Sequence, residues 1–166
     1  MTAAVYKRGH VGLIMDKYYP LRKIEDDEIL LKVSACGVYH SDIFFLSGVD
    51  LDTRTYVLGH EISETPVQLG SKVDPKIQIG KLYSVFGMDG GYAQYVIVKP
   101  ENLVEVPANA SPEVAAVASD AGTTAYNTVK HTAGVTDGTK VLIFGAGGLG
   151  HLAECDRAAN IFPAEV

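Results

Sequence analysis

Apolar positions in the first hundred residues recur in short runs divided by turn-forming clusters, a pattern of strands rather than helices. The run "EILLKVSACGV", Glu28 to Val38, predicts a strand closed by Gly37. Further strands are expected at Lys81–Phe86, Tyr92–Lys99 and Asn102–Val106, separated by "GMDGG" and "KPE". "SDIFFLSG" predicts a short helix with Ser41 as its N-cap and Gly48 as its stop. Pro66 and Pro75 interrupt the stretch from Val57 to Ile79, so any sheet there is expected to be irregular or at an edge.

The period changes near residue 111. Ser111, Pro112 and Glu113 supply a cap, a first helical residue and an acid in the positive first turn. "GTTAYNTVKHTAG" predicts a second helix bounded by Gly122 and Gly134. "TKVLIFGAGGLGHLA" then reads as a buried-type strand over Lys140–Phe144, a glycine turn and the start of a helix. A mainly β region is thus followed by the start of a different, α/β domain.

Composition narrows the function classes. Of 166 residues, 47% are hydrophobic and 20% charged, which describes an ordinary globular protein. A net charge of -6 with no basic stripe argues against a nucleic-acid binder. The mixed charge run "RKIEDDE", Arg22 to Glu28, is expected to be a solvated turn. Cys36 and Cys155 form no secreted disulfide framework, and the N-terminus has no signal-peptide core. No apolar run is long enough to span a bilayer, so a reducing, cytoplasmic location is expected.

"GAGGLG" sets Gly145, Gly147 and Gly150 in the G-x-G-x-x-G arrangement, after the apolar "VLIF" and before "LGHLA". Such a turn lets backbone N–H groups touch a pyrophosphate at a helix N-terminus, and predicts a dinucleotide site for NAD or NADP. The rest of that site is not evident. Glu165 has roughly the spacing of a ribose-binding acid but follows no strand, and "HLAECDRAANIF" lacks an apolar stripe.

The densest chemistry lies in "ACGVYHSD", Ala35 to Asp42. Together with "LGHE", "GGYAQYVIVKPENLVEVP", "SDAGTTAYNTVK" and "VLIFGAGGLGHLA", in that order, it resembles the zinc-type medium-chain alcohol dehydrogenases. The resemblance implies a GroES-like, partly open β-barrel catalytic domain over residues 1–120. Residues 121–166 would be a linker helix and the truncated start of a Rossmann domain. It implies one catalytic zinc and no structural zinc, since "KLYSVFGMDGGY" runs through the place of that lobe. The metal positions would be His60, with Glu61 beside it, and Asp120, as in a secondary-alcohol branch. Ser41 matches the hydroxyl that accepts the alcohol proton, and His40 a residue that relays it or meets the cofactor. Thr124 matches a residue near the nicotinamide.

Three departures bear on activity. Tyr39 stands where the family has a cysteine ligand, and a phenol with a pKa near 10 is a poor substitute for a thiolate on zinc. Glu64 replaces a usual glycine, which puts a charge where burial is costly unless it finds a partner. Lys81 replaces the acid of a "GD" turn. On the residues alone, His60 could be a packed histidine, Asp120 a turn cap and Ser41 only a helix cap. Two readings follow. One is an NAD(P)-dependent alcohol dehydrogenase with a weakened zinc site, or a zinc-free quinone-reductase-like relative, acting on a small alcohol or carbonyl. The other is a non-catalytic remnant or regulatory fragment that pairs with a full-length relative.

Overall fold

The strand-length apolar runs pair into two antiparallel sheets within the first of two units, Met1–Ser119. A computed structural model describes residues 1–7, 9–47, 56–85 and 90–159. In the smaller sheet β1 (Ala3–Tyr6) lies between β2 (Ile14–Asp16) and β4 (Tyr56–Val57). The larger sheet holds β3 (Ile29–Cys36), β5 (Ile62–Leu69), β6 (Tyr83–Val85), β7 (Tyr95–Val98) and β8 (Leu103–Glu105). Its order is β7-β3-β5-β6-β8. An isolated bridge from Ala3 to Ala93 links β1 to the chain just before β7.

Cross-strand partners share a face, so the register identifies the core. Ile29 faces Val98, Leu31 faces Val96, and Ile62 faces Val85 and Cys36. Ile29, Leu31, Ile62 and Val85 are fully buried, and Val73, Val96 and Val98 complete the cluster. Serines on the opposite face of β5 and β6 bind a helix instead. Ser63 Oγ donates to Pro112 O at 2.7 Å and Ser84 Oγ to Ala115 O at 3.1 Å, both in α2 (Pro112–Val117). Ser111 caps that helix as expected, its Oγ accepting from Val114 N–H.

The stretch holding Pro66 supplies β5, which is irregular, as expected, and lies in the middle of its sheet. A register shift between Leu30 and Leu31, where Leu31 meets Pro66, accommodates the missing N–H. The charge run at Arg22–Glu28 is a largely exposed turn through Asp27, as expected, and departs from that only at its end, where Glu28 is buried. Its carboxylate accepts from both Arg22 guanidinium nitrogens, at 2.5 and 2.6 Å, and from Glu25 N–H at 2.8 Å. Among shorter surface pairs, Lys81 meets Glu105, so the lysine that departs from the family turn ties β6's approach to β8.

The second unit, Asp120–Val166, is helical among its described residues. Wide π-type turns over Ala118–Gly122 and Asn127–Thr132 flank the α-helical turn α3 (Thr123–Tyr126). Gly122 therefore does not bound a helix; its φ of -62° and ψ of -49° are helical. The predicted strand at Lys140–Phe144 is not formed. A strand needs a neighbour for its N–H and C=O groups, and among the described residues this segment has no sheet partner. Leu142 and Phe144 are 77% and 91% exposed. The helix expected next is present as α4 (Gly148–Ala159).

The Glu28 arrangement fixes a sign for acid stability. Hydrogen bonds from Arg22 and then from Glu25 N–H hold the Glu28 carboxyl at about 2, below its ordinary 4.5. Its contribution is therefore complete above about 4.5 and is lost as pH falls towards about 2. Thermal unfolding of Glu28→Gln should show a shallower fall in midpoint over that range than the unmodified chain; parallel curves would contradict the assignment.

Candidate functional site

The loop after β3 and the helix α1 (His40–Leu46) build the candidate site. The helix begins two residues earlier than its serine suggests: Tyr39, not Ser41, is the N-cap, with an extended φ of -106°. Asp42 at the third helical position returns to the cap, its Oδ2 accepting from Tyr39 N–H at 3.0 Å. The same carboxylate accepts from Tyr92 Oη at 2.8 Å, and from Gly59 N–H at 3.3 Å through Oδ1. Asp42 is 2% exposed and so joins three separate segments of the chain.

This junction orients the imidazole. His60 Nδ1 lies 3.5 Å from Asp42 Oδ1, and its Nε2 lies 3.4 Å from Ser41 Oγ. With a proton on Nδ1 directed at the carboxylate, Nε2 is left to accept from the Ser41 hydroxyl. Both contacts are long, as catalytic hydrogen bonds often are before a substrate binds. The Tyr39 ring meets the His60 ring edge-on, with centroids 5.6 Å apart. Glu61 is buried, and its Oε2 fills the space that a Cβ on Gly37 would need. His40 is exposed at the first turn of α1.

Close packing raises the neighbouring acids. Burial, with Asp42 and Glu61 adding to it, pushes the Cys36 thiol up to about 12. Burial and the hydrogen bond to Asp42 hold the Tyr92 phenol above its ordinary range. A Cβ at Gly91 would collide with Cys36 Sγ and Gly59 O, so only glycine fits there. Gly59, at φ +91°, is similarly walled by Tyr92 and Cys36. Cys36 thus belongs to the packing of the site.

In the second unit Asp120 Oδ1 accepts from Thr124 Oγ1 at 3.1 Å, so the residues matched to the metal and the nicotinamide bind each other. The glycine turn has the local geometry expected of it. Gly145 has φ +93°, a Cβ on Gly150 would strike Gly145 O, and Gly147 has open space around it. These are the tight turn, the close helix contact and the free approach that a pyrophosphate site requires. A cleft of about 270 Å³ lies beside it, lined by Val141, Ile143, Gly145, Ala146, Gly150 and Glu154. Glu165, the spaced acid, falls outside the described residues.

The fit to zinc is poor within the first unit. A catalytic zinc needs three protein donors and an open position. His60 and Glu61 are present, but the third place holds the Tyr39 phenol. Among the described residues no three or more His, Cys, Asp or Glu side chains are grouped to hold a metal ion. Sequence reasoning also assigned no role to Asp42 and Tyr92. The signal for Asp42 was available: an acid three residues after a helix N-cap. Tyr92 carried none, because its partner is fifty residues away.

Residues 25–108 match the family described as alcohol dehydrogenase GroES-like domain. A quinone oxidoreductase-like protein 2 homolog from Nematostella vectensis is 30% identical over 93% of this chain and 43% of its own length. The acetophenone reductase of Geotrichum candidum, solved in complex with NAD, superposes with a TM-score of 0.82 at 34% identity. That match covers 92% of this chain and 53% of the other. A quinone oxidoreductase from Thermus thermophilus, studied also in complex with NADPH, gives 0.74 at 29% identity, over 92% and 48%. This chain spans about half the length of these relatives. Among its described residues no helix is long and apolar enough to cross a membrane. The chain belongs to the alcohol dehydrogenase GroES-like family of medium-chain dehydrogenases and reductases.

Proposed function

We propose that this chain carries the substrate-handling part of a hydride-transferring oxidoreductase of the zinc-dependent alcohol dehydrogenase type, with its catalysis impaired. The observation that carries the reading is the chain of contacts from Asp42 through His60 to Ser41, beside a tyrosine in the metal position. Ser41 would exchange a proton with the oxygen of a small alcohol or carbonyl, and Asp42 would hold the imidazole that receives it. His40, at the exposed turn, would relay that proton or meet the cofactor. NAD or NADP would lie along Gly145, Gly147 and Gly150, near Thr124, and its remaining contacts would come from βα units beyond those described here. Zinc would have only His60, Glu61 and Asp120, a donor set without thiolate. No step is assigned to it.

A second reading, a zinc-free reductase resembling the quinone oxidoreductases, is favoured by His60 Nε2 facing a hydroxyl within hydrogen-bonding reach. The exposed Leu142 and Phe144 favour a third role, in which the chain pairs with a full-length relative. Free Cys36 and Cys155 suit a reducing, cytoplasmic setting under any of these readings.

Metal analysis and cofactor titration separate them. The purified chain should hold well under one equivalent of zinc and show no micromolar NAD(H) binding. Tyr39→Cys should then tighten zinc by at least about tenfold, in line with the dependence of affinity on ligand type. A full equivalent of zinc with micromolar cofactor binding in the unmodified chain would overturn the impaired reading. Asp42→Asn should cost about 1–3 kcal/mol in denaturant unfolding, because buried donors from Tyr92 and Gly59 lose a charged acceptor. An unchanged midpoint would remove Asp42 from the centre of the site.

A further inference from the structure

Glu64 sits on β5 with its side chain on the core face, opposite Val33 on β3 and Tyr83 on β6. It is fully buried. Among the described residues, its two carboxyl oxygens are the buried side-chain polar atoms with no hydrogen-bond partner. The β3–β5 ladder is also irregular at this point, with a register shift between Val33 and Ala35. The strand therefore carries an unsolvated acid beside an irregularity in its backbone pairing.

We propose that Glu64 is a proton-operated latch on β5: the neutral carboxylic acid keeps the strand closed, and loss of the proton releases the end of the strand that adjoins His60 and Glu61. An ionised carboxylate cannot stay in this interior without a partner, and the short way to water is to part β5 from β3 at the bulge. The titratable groups on the packed elements do not supply a counter-charge. On β3 they are Cys36, a thiol held neutral, and Lys32, which is exposed. On β6 it is Tyr83, whose hydroxyl already accepts from Gln78 N–H at 3.1 Å. Helix α2 packs on the other face of β5, where Glu113 lies exposed in its first turn.

Burial alone pushes the Glu64 carboxyl up to about 9, from an ordinary 4.5. The sign follows from proton uptake. Between about 4.5 and 9 the opened strand sheds the proton that the closed strand keeps, so opening grows more favourable as pH rises. The limit is about tenfold in the opening equilibrium per pH unit. Above about 9 the effect levels off.

Two measurements on the whole chain test the latch. Hydrogen exchange of the Ile62–Pro66 segment should gain up to about tenfold per pH unit between pH 6 and 9, beyond the intrinsic base-catalysed rise and relative to β7. Glu64→Gln should abolish that excess. The carboxyl carbon of Glu64, followed by NMR in the unmodified chain, should titrate several pH units above the other glutamates. Equal exchange slopes in both chains, or a Glu64 signal that titrates with the other glutamates, would overturn the proposal. If Glu64→Gln does not fold, the NMR titration decides alone.

Discussion

The candidate site depends on one buried carboxylate. Asp42 accepts hydrogen bonds from the N–H of the α1 cap, from the Gly59 N–H before His60 and from the Tyr92 hydroxyl, and it faces the imidazole as well. The cap contact is local, but the Gly59 and Tyr92 donors come from distant stretches of chain that no local rule would bring to it. Once they converge, the side chains of Ser41 and His60 have little freedom left. A carboxylate in such a place is held by the number of its donors rather than by a single ion pair, and removing any one leaves the others with a strained acceptor.

What surrounds that carboxylate is built in two materials. On the core side the strands present branched aliphatic residues in matched pairs, Ile29 to Val98 and Ile62 to Val85. On the outer face of β5 and β6, serines reach the carbonyls of α2, so the helix is attached by hydrogen bonds to the sheet it covers. Glu64 interrupts the first material and Tyr39 interrupts the site. By the resemblance, the first stands at a position of glycine, which gives space, and the second at a position of cysteine, which gives a soft donor. The two changes are independent, since one lies inside the barrel wall and the other at the cap of α1.

The parts legible in the sequence are those in which a single segment carries the whole signal. Glu28–Val38 is a β-favouring run and contains β3; Ser111-Pro112-Glu113 starts α2; three glycines make a turn in which Gly145 takes a positive φ and Gly150 a close backbone contact. The parts that were not legible needed a distant partner. Pro66 signalled a strand either irregular or at an edge, and the choice between the two rested on pairing with β3, where Val67 is the extra residue. Glu28 looked solvated because its burial comes from the fold around it, although Arg22 lies only six residues away. Lys140–Phe144 has the composition of an inner strand but, among the described residues, no neighbour to make it one. In the candidate site, His60 and Ser41 were singled out by motif, whereas Tyr92 became visible only through its contact with Asp42.

The thiol of Cys36 is enclosed by the glycines of the site itself. It lies against Gly59 and Gly91, at positions where even a methyl group has no room, and its proton is held far more tightly than in water. Since the thiolate is the reactive species, the folded chain presents very little nucleophile at that sulfur near neutrality. Electrophiles and oxidants would accordingly meet little reactive sulfur at Cys36. The wall that shapes the pocket thereby also shields its own sulfur from chemical damage.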